Sequence, residues 1–131
     1  MLAAVPSGGS ARRRVLIVDD EPQILAIVRD ALVLDDYEVI EATGGAAALA
    51  ALARAPEAIL LDLWMPDMDG WTFRRAQLVS HPAIPVIVFS AVDVTPDRLA
   101  ELRPAAVLSK PFDLNELYRT VARVLSAPAA S

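Results

Sequence analysis

"AILLDLWMPDMDG", residues 58 to 70, begins with four apolar residues, delivers a lone carboxylate at Asp62, and continues through a proline and two more acids to a glycine. The apolar half reads as a strand. An acid closing a dry strand is the anomaly, because a buried charge needs a partner.

Working outward, four more short apolar runs read as strands: "VLIV" (15 to 18), "YEVIEA" (37 to 42), "PVIVFS" (85 to 90) and "AAVLS" (105 to 109). The first, third and fourth of the five are continuously apolar, as parallel strands covered by helices on both faces require. Segments of helical period lie between and after them. Ile24, Leu25, Val28, Ala31 and Leu32 form one stripe behind Pro22. Leu114, Leu117, Tyr118, Val121, Val124 and Leu125 form another, opened by Asp113 with Glu116 three residues on, in the manner of a capping box. Residues 44–55, 71–79 and 95–102 supply three more helices. Five βα units with right-handed crossovers give an α/β, doubly wound parallel sheet, whose ligand site lies beyond the carboxyl ends of the strands.

At 131 residues the chain has room for one domain of ordinary size. Residues 1–12 and 126–131 read as flexible tails and 13–125 as the folded unit. The formal net charge of -5 argues against nucleic acid or an anionic membrane as a partner. The absence of cysteine excludes disulfides, thiolate zinc sites and cysteine nucleophiles. The first fourteen residues reverse the order of a secretory signal and no apolar run reaches a membrane span, so a cytoplasmic protein is expected.

The carboxyl edge gathers the chemistry. Strand one ends in Asp19, Asp20 and Glu21, strand three in Asp62, strand four in Ser90, and strand five in Ser109 and Lys110. Two like charges about 4 Å apart repel by roughly 4 kcal/mol at an effective dielectric near 20, so such a cluster calls for a cation or a raised pKa. The donors are all oxygens, which suits magnesium better than zinc. Lys110, the sole lysine beside eleven arginines, is a second counter-charge, a compact ammonium in a chain that otherwise uses planar guanidinium groups. Taken singly, an acid after a strand is commonly a helix cap, and a lysine a solvated surface charge. The specificity lies in the combination and its order.

The motifs "LIVDDEP", "LLDLWMPDMDG", "VIVFSA" and "SKPFDLNEL" together resemble the receiver domain of bacterial two-component response regulators, over Arg13 to Leu125. The resemblance implies a flavodoxin-like (βα)5 fold with strand order 2-1-3-4-5. It implies that Asp62 accepts a phosphoryl group from a phosphohistidine on a sensor histidine kinase or histidine phosphotransfer protein. Asp20 would bind Mg2+ directly, Asp19 would help through a water, and Asp62 and the backbone carbonyl of Trp64 would complete the protein ligands. Ser90 and Lys110 would contact the phosphoryl oxygens, with Ala91 and Val107 in the switch region, and the Lys110–Pro111 peptide would be cis. The output would be a contact with a downstream protein or onward transfer of the phosphoryl group.

The sequence departs from that pattern in several places, among them a short segment between Ser90 and Lys110 with Pro104 where a Gly-Ala pair often stands. Val107 stands where receivers commonly carry an aromatic residue, which weakens the expected output through the fourth helix, fifth strand and fifth helix. Trp64, two residues after Asp62, cannot act as a base and is expected to shield an acyl phosphate from water, giving slow self-dephosphorylation. Other readings are a receiver-like adaptor indifferent to phosphorylation and the receiver fragment of a larger regulator. A phosphohydrolase of the haloacid dehalogenase type would need an acid where Trp64 stands. A flavodoxin-like cofactor binder is opposed by "DDEP", which would repel a phosphate. His81 reads as a surface residue, Arg12 to Arg14 as a solubilising flank, and Trp71 and Phe73 as packing for the third helix.

Overall fold

The structure, a computed structural model, describes residues 12–90 and 94–126. Five parallel strands, β1 (Arg14–Val18), β2 (Glu38–Ala42), β3 (Ala58–Leu61), β4 (Val86–Ser90) and β5 (Ala106–Ser109), form one sheet in the order β2-β1-β3-β4-β5. The helices are α1 (Pro22–Leu34), α2 (Gly45–Ala51), α3 (Gly70–Ser80), α4 (Pro96–Ala100) and α5 (Leu114–Ser126). Ser126, read from sequence as tail, closes α5. The rest of the two expected tails, Arg12 apart, lies outside the described residues.

The continuously apolar strands are dry on both sides: every residue of β3 and β4, and all of β1 after Arg14, is buried. Alternate residues feed two cores. Leu16, Val18, Ile59, Leu61, Val86 and Val88 pack with Ala48, Leu52, Phe73 and Leu102 on the α2–α3–α4 side. Val15, Ile17, Leu60, Ile87 and Phe89 pack with Leu25, Val28, Leu117 and Val121 on the α1–α5 side. Both apolar stripes read in the sequence, those of α1 and α5, therefore cover the same face of the sheet, and α2, α3 and α4 cover the other. The Asp113 carboxylate accepts from the Glu116 N–H at 2.7 Å, the expected cap of α5.

Two helices are shorter than their periodicity suggests, and proline is the reason in both. After Ala51 the chain tightens into a 3-10 turn over Leu52–Arg54 and leaves through Ala55 at φ 56°, immediately before Pro56. Helix α4 stops at Ala100, and Arg103, at φ 48°, precedes Pro104. A residue before proline is steered away from helical geometry, so neither segment can continue.

Candidate functional site

Strand register brings the acids together. Val18 pairs with Leu61, and the Asp62 N–H donates to the Val18 carbonyl at 2.9 Å, so Asp19 and Asp62 emerge side by side. One strand further, Ser90 pairs with Ser109, and the Lys110 N–H donates to the Ser90 carbonyl at 3.0 Å. Asp19, Asp20 and Asp62 each present a carboxylate oxygen, all within 4.8 Å of one another. Asp19 and Asp62 are buried and Asp20 is half-buried. Ser90 is buried at the end of β4.

Lys110 reaches back into this cluster. Its Nζ lies 2.7 Å from Asp19 Oδ2, 3.8 Å from Asp62 Oδ1 and 3.9 Å from Glu21 Oε1. The stem passes beside Phe89, whose ring centroid is 4.7 Å from Nζ and which packs edge-on against Phe112. The Lys110–Pro111 peptide is cis. Burial raises the Asp62 carboxyl from its ordinary 3.8 to about 6; Lys110 pulls against that shift, and Asp19 and Asp20 add to it. Three crowded carboxylates facing one ammonium still carry excess negative charge. An all-oxygen donor set with that surplus fits a hard divalent cation.

The remaining acids of the quoted stretch have other work. Asp67 accepts from the Gly45 and Ala46 N–H groups at the start of α2, at 3.1 and 3.0 Å, and Asp69 accepts from the Thr72 N–H at 2.8 Å to cap α3. These three bonds pin the loop after Asp62 to neighbouring helices. Gly70 lets α3 approach that loop: a Cβ there would lie 2.6 Å from Leu63 Cδ2 and 3.0 Å from the Leu63 Cα. Sequence reasoning stopped at Asp62 and assigned none of these three, although a Gly directly after a capping Asp is a readable signal. Phe89 as a neighbour of Lys110 was not legible either, and only the fold reveals it.

The other expected residues fall in varied surroundings. The Trp64 backbone N–H favours the charged form of Asp62, while the Trp64 side chain is 47% exposed. Val107 lies on edge strand β5 opposite Val88 and is also exposed. Ala91 lies outside the described residues. Trp71 and Phe73 are buried packing residues, as read. His81 caps the carboxyl end of α3, before β4 and hence at the opposite edge of the sheet, and takes no part in the cluster. Among the described residues, no helix is long and apolar enough to cross a membrane.

Comparison with known proteins points the same way. Residues 15–122 match the response regulator receiver domain family. The chain is 40% identical over 120 residues to the transcriptional regulatory protein PrrA of Mycobacterium tuberculosis, covering 89% of this chain and 52% of PrrA. It is 45% identical over 106 residues to the KDP operon transcriptional regulatory protein KdpE of Escherichia coli, covering 79% and 47%. The chain thus spans about half the length of these curated relatives. Among solved structures, the chemotaxis protein CheY4 of Vibrio cholerae superposes with a TM-score of 0.81 at 31% identity, over 87% of this chain and 99% of that one.

Proposed function

Because this chain belongs to the response regulator receiver domain family, we propose that it is a phosphorylation-switched module of a two-component phosphorelay, with Asp62 as the acceptor. The observation that carries the assignment to Asp62 is its place: a buried carboxylate at the carboxyl edge of β3, flanked by Asp19 and Asp20 and facing the Lys110 ammonium at 3.8 Å. The donor is a phosphohistidine on a sensor histidine kinase or histidine phosphotransfer protein.

In the transfer, an Asp62 carboxylate oxygen forms the new bond to phosphorus as the bond from phosphorus to the donor's imidazole nitrogen breaks, and the electron pair of the broken bond stays with the imidazole. Lys110 offers its ammonium to the phosphoryl oxygens, and Phe89 beside its stem limits its wandering. The Trp64 backbone N–H favours the ionised, nucleophilic form of the Asp62 carboxylate. Ser90, buried at the end of β4, supplies a hydroxyl to the same oxygens. Asp20, Asp19, Asp62 and the Trp64 carbonyl are the groups that would hold Mg2+, which when bound neutralises charge on the phosphoryl oxygens. The product is an acyl phosphate on the protein and not a released one, so the chain is a phosphoryl acceptor and not a turnover enzyme.

Phosphorylation adds charge and acceptor oxygens at one edge of the sheet, and the output is a changed protein contact. The net charge of -5 opposes direct nucleic-acid binding by this domain. PrrA and KdpE are named transcriptional regulators and are about twice the matched length, so any such role here belongs to a partner or a further domain.

The test is intact mass after incubation with acetyl phosphate, with Mg2+ and with chelator, on wild type and Asp62→Asn. A single metal-dependent phosphate adduct, absent from the variant, is expected. An adduct that persists in Asp62→Asn would remove Asp62 from its role. No adduct, together with no binding of beryllofluoride, would end the phosphorelay reading.

A further inference from the structure

The β3–α3 loop carries a second feature, independent of the acid cluster. The indole of Trp64 packs on that of Trp71, with ring centroids 5.3 Å apart and planes tilted by 56°. Trp71, buried on α3, donates its Nε1–H to the Arg98 carbonyl of α4 at 2.8 Å. The Arg98 guanidinium lies over the Trp71 ring, 4.3 Å from its centroid. Arg98 is itself held, by an ion pair to Glu101 at 3.0 Å and by its own N–H donating to the capping Thr95 hydroxyl at 3.3 Å. The result is a series that runs from Trp64, two residues after the acceptor Asp62, to the fourth helix: Trp64 indole, Trp71 indole, Arg98.

Buried Leu63 and Met65 anchor the backbone on either side of Trp64, which leaves its side chain to be fixed separately. Trp64 sits in a loop, its side chain is half exposed, and Pro66 and the capping residue Asp67 act further along the chain. Buried Trp71 is the surface its indole rests on. Orienting the indole fixes where its bulk stands relative to the acceptor two residues earlier, and so how well it shields an acyl phosphate there from water.

We propose that Trp71 and Arg98 are positioning residues for the phosphoryl site: they fix Trp64 beside Asp62 and thereby set the lifetime of the acyl phosphate. The proposal rests on Asp62 being the acceptor. Arg98 projects from α4, so a partner that covers α4 and draws Arg98 off the stack shortens or lengthens that lifetime without touching the acid cluster. Coupling of this kind is reciprocal, so the phosphorylated state also alters affinity at α4.

The experiment is a double-mutant cycle on the decay of the phosphorylated protein, followed by intact mass after removal of acetyl phosphate. Trp71→Phe keeps an aromatic ring but deletes the Nε1–H, and Arg98→Met keeps an apolar stem but deletes the charge. Each is expected to change the half-life by about threefold or more. In a Trp64→Ala background the same substitutions are expected to change nothing further, and Arg98→Lys is expected to restore the wild-type lifetime. Equal effects with and without Trp64, or no effect with it, would overturn the proposal. Near-ultraviolet circular dichroism tests the geometry without any phosphate. The paired indoles are the protein's only two tryptophans, so their coupled signal should vanish in Trp64→Ala and weaken in Arg98→Met. Absence of that signal from wild type would defeat the positioning proposal, whereas absence of an adduct on wild type would defeat the assignment of Asp62.

Discussion

Lys110 Nζ lies 2.7 Å from Asp19 Oδ2, across 91 residues of chain, and is 10% exposed against 0% for its partner. The lone lysine is therefore first the counter-charge of a buried acid and only second a neighbour of Asp62. Lys110→Ala would leave Asp19 buried with no cation beside it, at a cost of about 3 kcal/mol. Urea denaturation in chelator should show that loss, and Mg2+ should recover part of it by supplying the missing positive charge. Lys110→Arg should not substitute, because a planar fork cannot occupy the narrow space between Asp19 and Phe89 as an ammonium does.

Asp62 gives a pH prediction with a definite sign. Its carboxyl is raised from 3.8 to about 6 in the folded protein. Between those values the native state holds a proton that the unfolded chain has released, so stability falls as pH rises through the window. Asp62→Asn lacks this slope. In chelator the variant should be more stable than wild type by roughly 2 kcal/mol above pH 6, and the difference should fade toward pH 4. Equal urea midpoints for the two proteins at pH 7.5 would contradict the raised value.

Gly70→Ala tests whether the acceptor loop depends on close packing of α3. The added methyl would meet Leu63 Cδ2 at 2.6 Å and the Leu63 Cα at 3.0 Å, and the backbone atom cannot swing aside. A loss of about 1–3 kcal/mol is expected, with slower phosphorylation by acetyl phosphate because Asp62 and Leu63 shift together. A destabilised variant that phosphorylated at the wild-type rate would show that the loop tolerates the shift.

Arg74 is a buried guanidinium that donates to the carbonyls of Leu102, Ile84 and Arg103 and to the Gln77 side chain, and no carboxylate of the described residues pairs with it. It fastens the turn after α4 and the loop before β4 to α3 through backbone carbonyls. Arg74→Met should cost about 2–4 kcal/mol, since the Leu102 and Arg103 carbonyls lose the donor that Arg74 supplies. Hydrogen exchange should localise the change to residues 99–103.

Sequence by itself determined the alternation of strands and helices, because unbroken apolar runs such as Ala58–Leu61 and period-3.6 stripes such as Leu117, Val121 and Leu125 are local properties of the chain. It also placed Asp19, Asp20, Asp62, Ser90 and Lys110 at one edge, since parallel strands all end on the same side. Helix lengths were less legible at α2 and α4, where Pro56 and Pro104 overrule the periodicity. What only the tertiary structure decided is who faces whom. Asp62, Asp67 and Asp69 look alike in the sequence, yet one is a buried carboxylate near Lys110 and the others cap α2 and α3. The same holds for Arg74, Arg75 and Arg98, of which one is buried among carbonyls, one is exposed, and one covers a tryptophan. Burial and partner choice come from contacts across many residues of chain, and no local pattern carries that information.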